Sequence, residues 1–114
     1  MIFIIEDDEI MAECIATAVA PVKTRVFANG VDAIAALNKT LPQLIFLDIL
    51  LDGPDGFTFL NELASYPDTN KIPIVLVSSL DFSDRDLSSY GVVGTLDKAT
   101  MTPEEIKAYA QRFA

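Results

Sequence analysis

The sequence predicts a doubly wound α/β domain, with a parallel five-stranded sheet and helices on both faces. Three observations carry this expectation. Short, wholly apolar runs recur, as in Ile2-Phe3-Ile4-Ile5 and Leu44-Ile45-Phe46-Leu47, and such runs, bounded by turn signals, mark strands buried on both faces. Segments with apolar residues at helical spacing alternate with them, the pattern of parallel strands joined by crossover helices. At 114 residues the chain has room for one core, so a single domain over 1–114 is expected.

The elements follow in order. Ile2–Ile5 is a first buried strand, ending in Glu6-Asp7-Asp8-Glu9. From Ile10 to Ala20 two apolar lines recur at helical spacing: Ile10, Cys14, Ala18 and Met11, Ile15, Val19. Asp8 is the expected N-cap, and Pro21 stops the helix. Val22–Phe27 alternates apolar and basic residues as a strand near a sheet edge does. Asn29-Gly30 opens a second helix with the stripe Val31, Ile34 and Leu37, closed by Leu41-Pro42.

The third strand, Leu44–Asp48, ends abruptly on a carboxylate, and Asp52-Gly53-Pro54-Asp55-Gly56 turns the chain. A helix carrying Phe57, Leu60, Leu63 and Ala64 runs to Pro67-Asp68. Ile72–Val77 is a fourth strand, with proline tolerated near its start, leading into Ser78-Ser79. Asp81–Tyr90 is short and polar, enough for a helix of two turns at most. Gly91–Leu96 is a fifth strand, ending at Asp97-Lys98. Thr102-Pro103-Glu104-Glu105 starts the last helix with a cap, a first-turn proline and acids, and Ile106, Tyr109, Ala110 and Phe113 form its buried face. Right-handed crossovers make 2-1-3-4-5 the compact strand order, that of a flavodoxin-like three-layer sandwich, here with a shortened fourth helix.

Composition narrows the functions. The net charge of −9 argues against binding a phosphate backbone, which relies on Lys and Arg. No apolar run approaches the roughly 18 residues that mark a membrane span, so no nucleic acid and no membrane are expected as partners, and a cytoplasmic location is. One cysteine, Cys14, excludes an internal disulfide. The chain contains no histidine, which removes the usual catalytic base and a common metal ligand. Any phosphohistidine donor must lie on another chain.

Four strands end in polar residues: Glu6/Asp7, Asp48, Ser78 and Lys98. In open α/β sheets the carboxyl edge is where ligands bind. Carboxylates gathered there repel unless compensated, and a hard divalent cation such as Mg²⁺ suits two or three of them. Lys98 adds a point charge and Ser78 a hydroxyl donor. Together these groups would cradle a phosphoryl group carried by Asp48. Polar strand ends are common, and acids near a helix start favour its dipole; what distinguishes this chain is four strand ends matching one chemistry.

These same residues resemble those of a response-regulator receiver domain of two-component signalling, along essentially the whole chain. The resemblance is carried by Ile4-Ile5-Glu6-Asp7-Asp8, by Asp48 through Gly56, by Val77-Ser78-Ser79 and by Leu96-Asp97-Lys98. It implies that Glu6 and Asp7 bind Mg²⁺ together with Asp48 and the backbone carbonyl of Leu50. It also implies that Asp48 accepts the phosphoryl group from a histidine kinase or histidine phosphotransfer protein, and that Ser78 and Lys98 engage that group. The expected function is a stand-alone phosphoacceptor in a two-component system or phosphorelay. It would catalyse only its own phosphorylation and slow dephosphorylation, have no output domain, and signal through a downstream protein target as a monomer or phosphorylation-dependent dimer.

The chain departs from the family at several positions. Asp52 stands four residues after the acceptor, where the family usually has proline. Thr95 stands at the aromatic switch position, and Ala99 follows the lysine where a cis proline is usual. A cis bond costs about 2.5–4 kcal/mol before a non-proline residue, so a trans Lys98–Ala99 bond is expected. These departures favour one alternative, a phosphorylation-independent pseudo-receiver that acts as a docking module. An aspartate-nucleophile phosphatase of the haloacid-dehalogenase type is a more remote one, because its two aspartates stand two apart and Asp48 and Asp52 stand four apart. No G-x-G-x-x-G follows the first strand, and the 52–56 turn lacks calcium-loop spacing.

In the family, the positions two after the acceptor and two after the switch hydroxyl flank the incoming water. Both are leucine here, Leu50 and Leu80. Neither orients a water, so a long-lived aspartyl phosphate is expected. Hydrolysis of the phosphorylated chain should be slow in wild type and faster in Leu50→Asn. A fast wild type, unchanged by the substitution, would refute this.

Overall fold

The structure is a computed structural model and describes residues 1–49, 56–79 and 86–114. Leu50, Asp52 and Leu80, and with them the expectations for the metal-binding carbonyl and the water-flanking leucines, lie outside the described residues. The strands are β1 (Ile2–Ile5), β2 (Thr24–Phe27), β3 (Leu44–Asp48), β4 (Ile74–Ser78) and β5 (Val92–Asp97). The helices are α1 (Glu9–Val19), α2 (Gly30–Leu37), α3 (Gly56–Ala64) and α4 (Pro103–Phe113). Among the described residues between β4 and β5, Ser88–Tyr90 forms a single 3₁₀ turn.

All strand pairs are parallel and the order is β2-β1-β3-β4-β5, as expected. Side chains alternate across a strand, and the two cores divide accordingly. Ile2 and Ile4 of β1, Leu44 and Phe46 of β3, Val75 and Val77 of β4, and Leu96 of β5 pack with α1 and α4. Phe3, Ile5, Ile45, Leu47, Ile74 and Leu76 pack with α2 and α3 on the other face. The wholly apolar runs are what a sheet covered on both faces requires. No helix among the described residues is long and apolar enough to cross a membrane.

The helix starts follow the local chemistry read from the sequence. Asp8 Oδ1 accepts the N–H groups of Ile10 and Met11, at 3.0 and 3.3 Å. Asn29 Oδ1 accepts that of Asp32 at 2.9 Å. Thr102 and Glu105 form a reciprocal capping box ahead of Pro103.

Two helices match the expected apolar lines only in part: Ile15 and Val19 of α1 and Leu37 of α2 are buried, and other members are not. In α1 the buried line is Ala12, Ile15 and Val19; Cys14 is exposed, and Ile10 is 77% exposed. In α2 the buried residues are Gly30, Ala33, Ala36 and Leu37, while Val31 is 63% exposed. Both helices are apolar around most of their circumference, so spacing alone does not select the stripe that meets the sheet. Ile10 and Cys14 instead line a cleft facing Pro103 and Lys107 of α4.

Gly56 joins this packing to the end of β3. Its N–H donates to Ile49 O at 2.9 Å, and a Cβ there would lie 2.6 Å from Ile49 Cα. Only glycine allows α3 to begin against the residue that follows Asp48. Gly56→Ala should lose about 1–3 kcal/mol, the usual cost of overpacking, measured as a lower urea midpoint; a midpoint equal to wild type would contradict this contact.

Candidate functional site

The alternation that divides the cores also builds the site. Ile4 of β1 pairs with Phe46 of β3, so the next residues of the same parity, Glu6 and Asp48, lie side by side on the α1/α4 face. Leu96 of β5 belongs to that face too, and Lys98 follows it by two residues. The lysine therefore extends over the same corner from across β4. Its Nζ lies 2.8 Å from Glu6 Oε1 and 3.1 Å from Asp48 Oδ2.

Backbone bonds hold these ends in line. Glu6 N–H donates to Phe27 O at 2.9 Å, and Lys98 N–H donates to Ser78 O at 3.0 Å. Each prolongs a ladder by one residue. Glu6, Asp48 and Ser78 are each only 3% exposed, whereas Asp7 is exposed. Ser78 has the parity of Ile74 and Leu76, and it is tied to the lysine through its carbonyl. The structure thus brings Glu6, Asp7, Asp48 and Lys98 to one place, with Ser78 on the neighbouring strand end.

The charge balance is unequal. Burial, and then the neighbouring Asp48, push the Glu6 carboxyl up to about 8, against the opposing pull of Lys98. Burial works against the Lys98 charge, but its hydrogen bonds and attraction to Glu6 and Asp48 prevail and hold the ammonium above the ordinary lysine range. Among the described residues one cation therefore serves two buried acids. Glu6 Oε2 is buried with no hydrogen-bond partner among the described residues, a costly state for a carboxylate oxygen.

Oxygen atoms of Glu6, Asp7 and Asp48 all lie within 4.8 Å of one another. An unpartnered buried oxygen within a set of three carboxylates fits a hard divalent cation, which takes oxygen ligands and compensates their charge. The residues present therefore fit divalent-metal binding.

Past the lysine, the Lys98–Ala99 bond is trans, as expected; among the described residues the cis peptide is Ala20–Pro21. Asp97 Oδ1 accepts the Ala99 N–H at 2.8 Å. This bond was not foreseen from the sequence, although an aspartate two residues before an available amide is a turn signal. Thr95, at the aromatic switch position, is exposed on β5.

A doubly wound sheet with an acidic pocket and a lysine at its carboxyl edge defines a class of phosphoacceptor domains, and comparison makes the family explicit. The response regulator receiver domain family matches residues 2–111, and the chain belongs to that family. Response regulator PleD of Caulobacter vibrioides is 42% identical over 53 residues, covering 46% of this chain and 12% of PleD. Protein Rrf1 of Nitratidesulfovibrio vulgaris is 32% identical over 76 residues, covering 67% of this chain and 54% of Rrf1. The chain thus spans less than two thirds of these relatives' lengths. A response regulator structure from Chloroflexus aurantiacus has a TM-score of 0.85 at 26% identity, covering 98% of this chain and 94% of that one. The phosphorylated cyanobacterial phytochrome response regulator RcpA has a TM-score of 0.77 at 26% identity, covering 97% and 88%.

The raised Glu6 value sets a pH dependence. Because the folded value of about 8 exceeds the ordinary 4.5, the protonated acid contributes stability that is complete below the ordinary value and lost as pH rises through about 8. A cation competes with that proton, so binding below pH 8 should release it and tighten as pH rises. Calorimetry with Mg²⁺ in two buffers of different ionisation enthalpy should give different heats, and Glu6→Gln should remove the difference. Buffer-independent heats in wild type would count against this protonation state.

Proposed function

We propose that this domain takes a phosphoryl group on Asp48 from a histidine kinase or histidine phosphotransfer protein and signals through contacts with a downstream protein. One observation carries the reading: a carboxylate at a strand end, 3% exposed, faces the Lys98 ammonium while two further acids stand beside it. Burial of the acceptor beside a fixed charge is what a nucleophile for an anionic donor needs, since the lysine offsets repulsion as the donor approaches.

The transfer balances simply. An Asp48 carboxylate oxygen attacks phosphorus, an O–P bond forms, and the P–N bond to the donor imidazole breaks with its electron pair returning to nitrogen. With acetyl phosphate the P–O bond breaks instead and acetate leaves. Lys98 Nζ, hydrogen-bonded to Asp48, would neutralise a phosphoryl oxygen, and Ser78 would supply a hydroxyl donor after a local shift. Glu6 and Asp7 would hold Mg²⁺ with Asp48 and the Leu50 carbonyl. That ion, when bound, supplies the positive charge that shields the transferring oxygens. The phosphoryl group carries about −2 charges while Asp48 gives up its own carboxylate charge, so the sheet edge gains about one net negative charge, enough to redraw the partners of Lys98 and Ser78. Membership of a family that includes a phosphorylated RcpA structure supports this chemistry.

Incubation with acetyl phosphate and Mg²⁺, read by intact mass, should add one phosphoryl group to wild type and none to Asp48→Asn. Lys98→Ala should slow the gain by roughly a hundredfold, the scale of losing one preorganised electrostatic group. A wild type that gains nothing would favour a docking module that works without phosphate.

A further inference from the structure

The chain leaves β5 under closer control than a strand end needs. On one side of Lys98, its own N–H is bound to Ser78 O at 3.0 Å. On the other, Asp97 binds three amides beyond the lysine. Its carboxylate accepts the Ala99 N–H at 2.8 Å, and its carbonyl accepts those of Thr100 and Met101 at 3.1 and 2.8 Å. This closed turn runs straight into Thr102, whose hydroxyl caps α4 by accepting the Glu105 N–H at 3.2 Å. Lys98 is the residue held between the two sets of bonds.

We infer that Asp97 is a positioning residue for Lys98: its side-chain bond to the Ala99 amide holds the turn that keeps the ammonium between Glu6 and Asp48. The need is physical. β5 is an edge strand with a single neighbour, and a lysine at its end is a long, rotamer-rich side chain that must reach back across β4. Reaching two acids at 2.8 and 3.1 Å requires a fixed Cα direction, and the backbone after the strand sets it. Ala99 supplies the N–H that Asp97 grips, and a proline at 99 has no such donor. The side chain at 97 and the amide at 99 are thus one device. Asp97 itself is exposed and approaches neither acid through the bonds it makes.

The inference rests on the reading of Lys98 as a group that engages the phosphoryl, so the experiment separates the two. Phosphorylation by acetyl phosphate and Mg²⁺ is compared in wild type, Asp97→Ala and Asp97→Asn. Asparagine keeps an acceptor oxygen and removes the charge. Asp97→Ala should slow phosphorylation about tenfold, as a small misplacement of a reacting group does, and Asp97→Asn should restore it to within about twofold. A rate in Asp97→Ala equal to wild type, or no rescue by asparagine, overturns the proposal. Carbon relaxation at Lys98 Cε in metal-free protein provides a readout that needs no phosphate. It should show an ordered side chain in wild type and Asp97→Asn and a mobile one in Asp97→Ala; equal order in all three also overturns the proposal. A wild type that is not phosphorylated but shows this relaxation pattern removes the acceptor reading of Asp48 and leaves the positioning of Lys98 standing.

Discussion

The Lys98 ammonium, 2.8 Å from Glu6 and 3.1 Å from Asp48, makes this sheet edge possible. Two acids at 3% exposure cannot both ionise beside each other without a counter-charge, and one cation compensates them only in part. The shortfall shows in the raised Glu6 carboxyl and in the unpartnered Glu6 oxygen. A buried ion pair of this kind is weak evidence for stability, because desolvation consumes most of the attraction. Its effect is on chemistry: the incomplete balance leaves the pocket suited to a further positive charge.

Everything else positions that contact. The strict alternation of β1 and β3 places Glu6 and Asp48 next to each other, and the register across β4 brings Lys98 within reach. Apolar residues bury β1, β3 and β4 on both faces up to the last residue before each polar group. Gly56 then brings α3 up against Ile49, so even the residue after Asp48 is packed rather than hanging in solvent. Precision at the site is inherited from the cores.

How far this was legible in the sequence depends on which force decides each feature. Strand ends were legible because an apolar run that stops at Asp48, Ser78 or Asp97-Lys98 marks both the length of a buried strand and the edge of the sheet. Helix caps at Asp8, Asn29 and Thr102 were legible because capping is local. The inward faces of α1 and α2 were legible only in part: Ile15, Val19 and Leu37 went inside, while Ile10 and Val31, just as apolar, stayed out. Asp97 also escaped notice. Its bond to Ala99 exists only because β5 ends where it does, and a one-residue shift would aim the carboxylate elsewhere.

The bond from Lys98 to Glu6 closes a loop of 92 residues, and that to Asp48 a loop of 50. Such distant pairs form late, because loop closure must be paid for before they reward it. On a chain still emerging from a ribosome, Glu6 and Asp48 can be brought together by β1 and β3 well before the residue that neutralises them has been synthesised. Until then the corner lacks the counter-charge that Lys98 supplies in the finished pocket. β5 is thus the strand that completes the charge balance of this corner, and the pocket takes its final form only once that strand has docked.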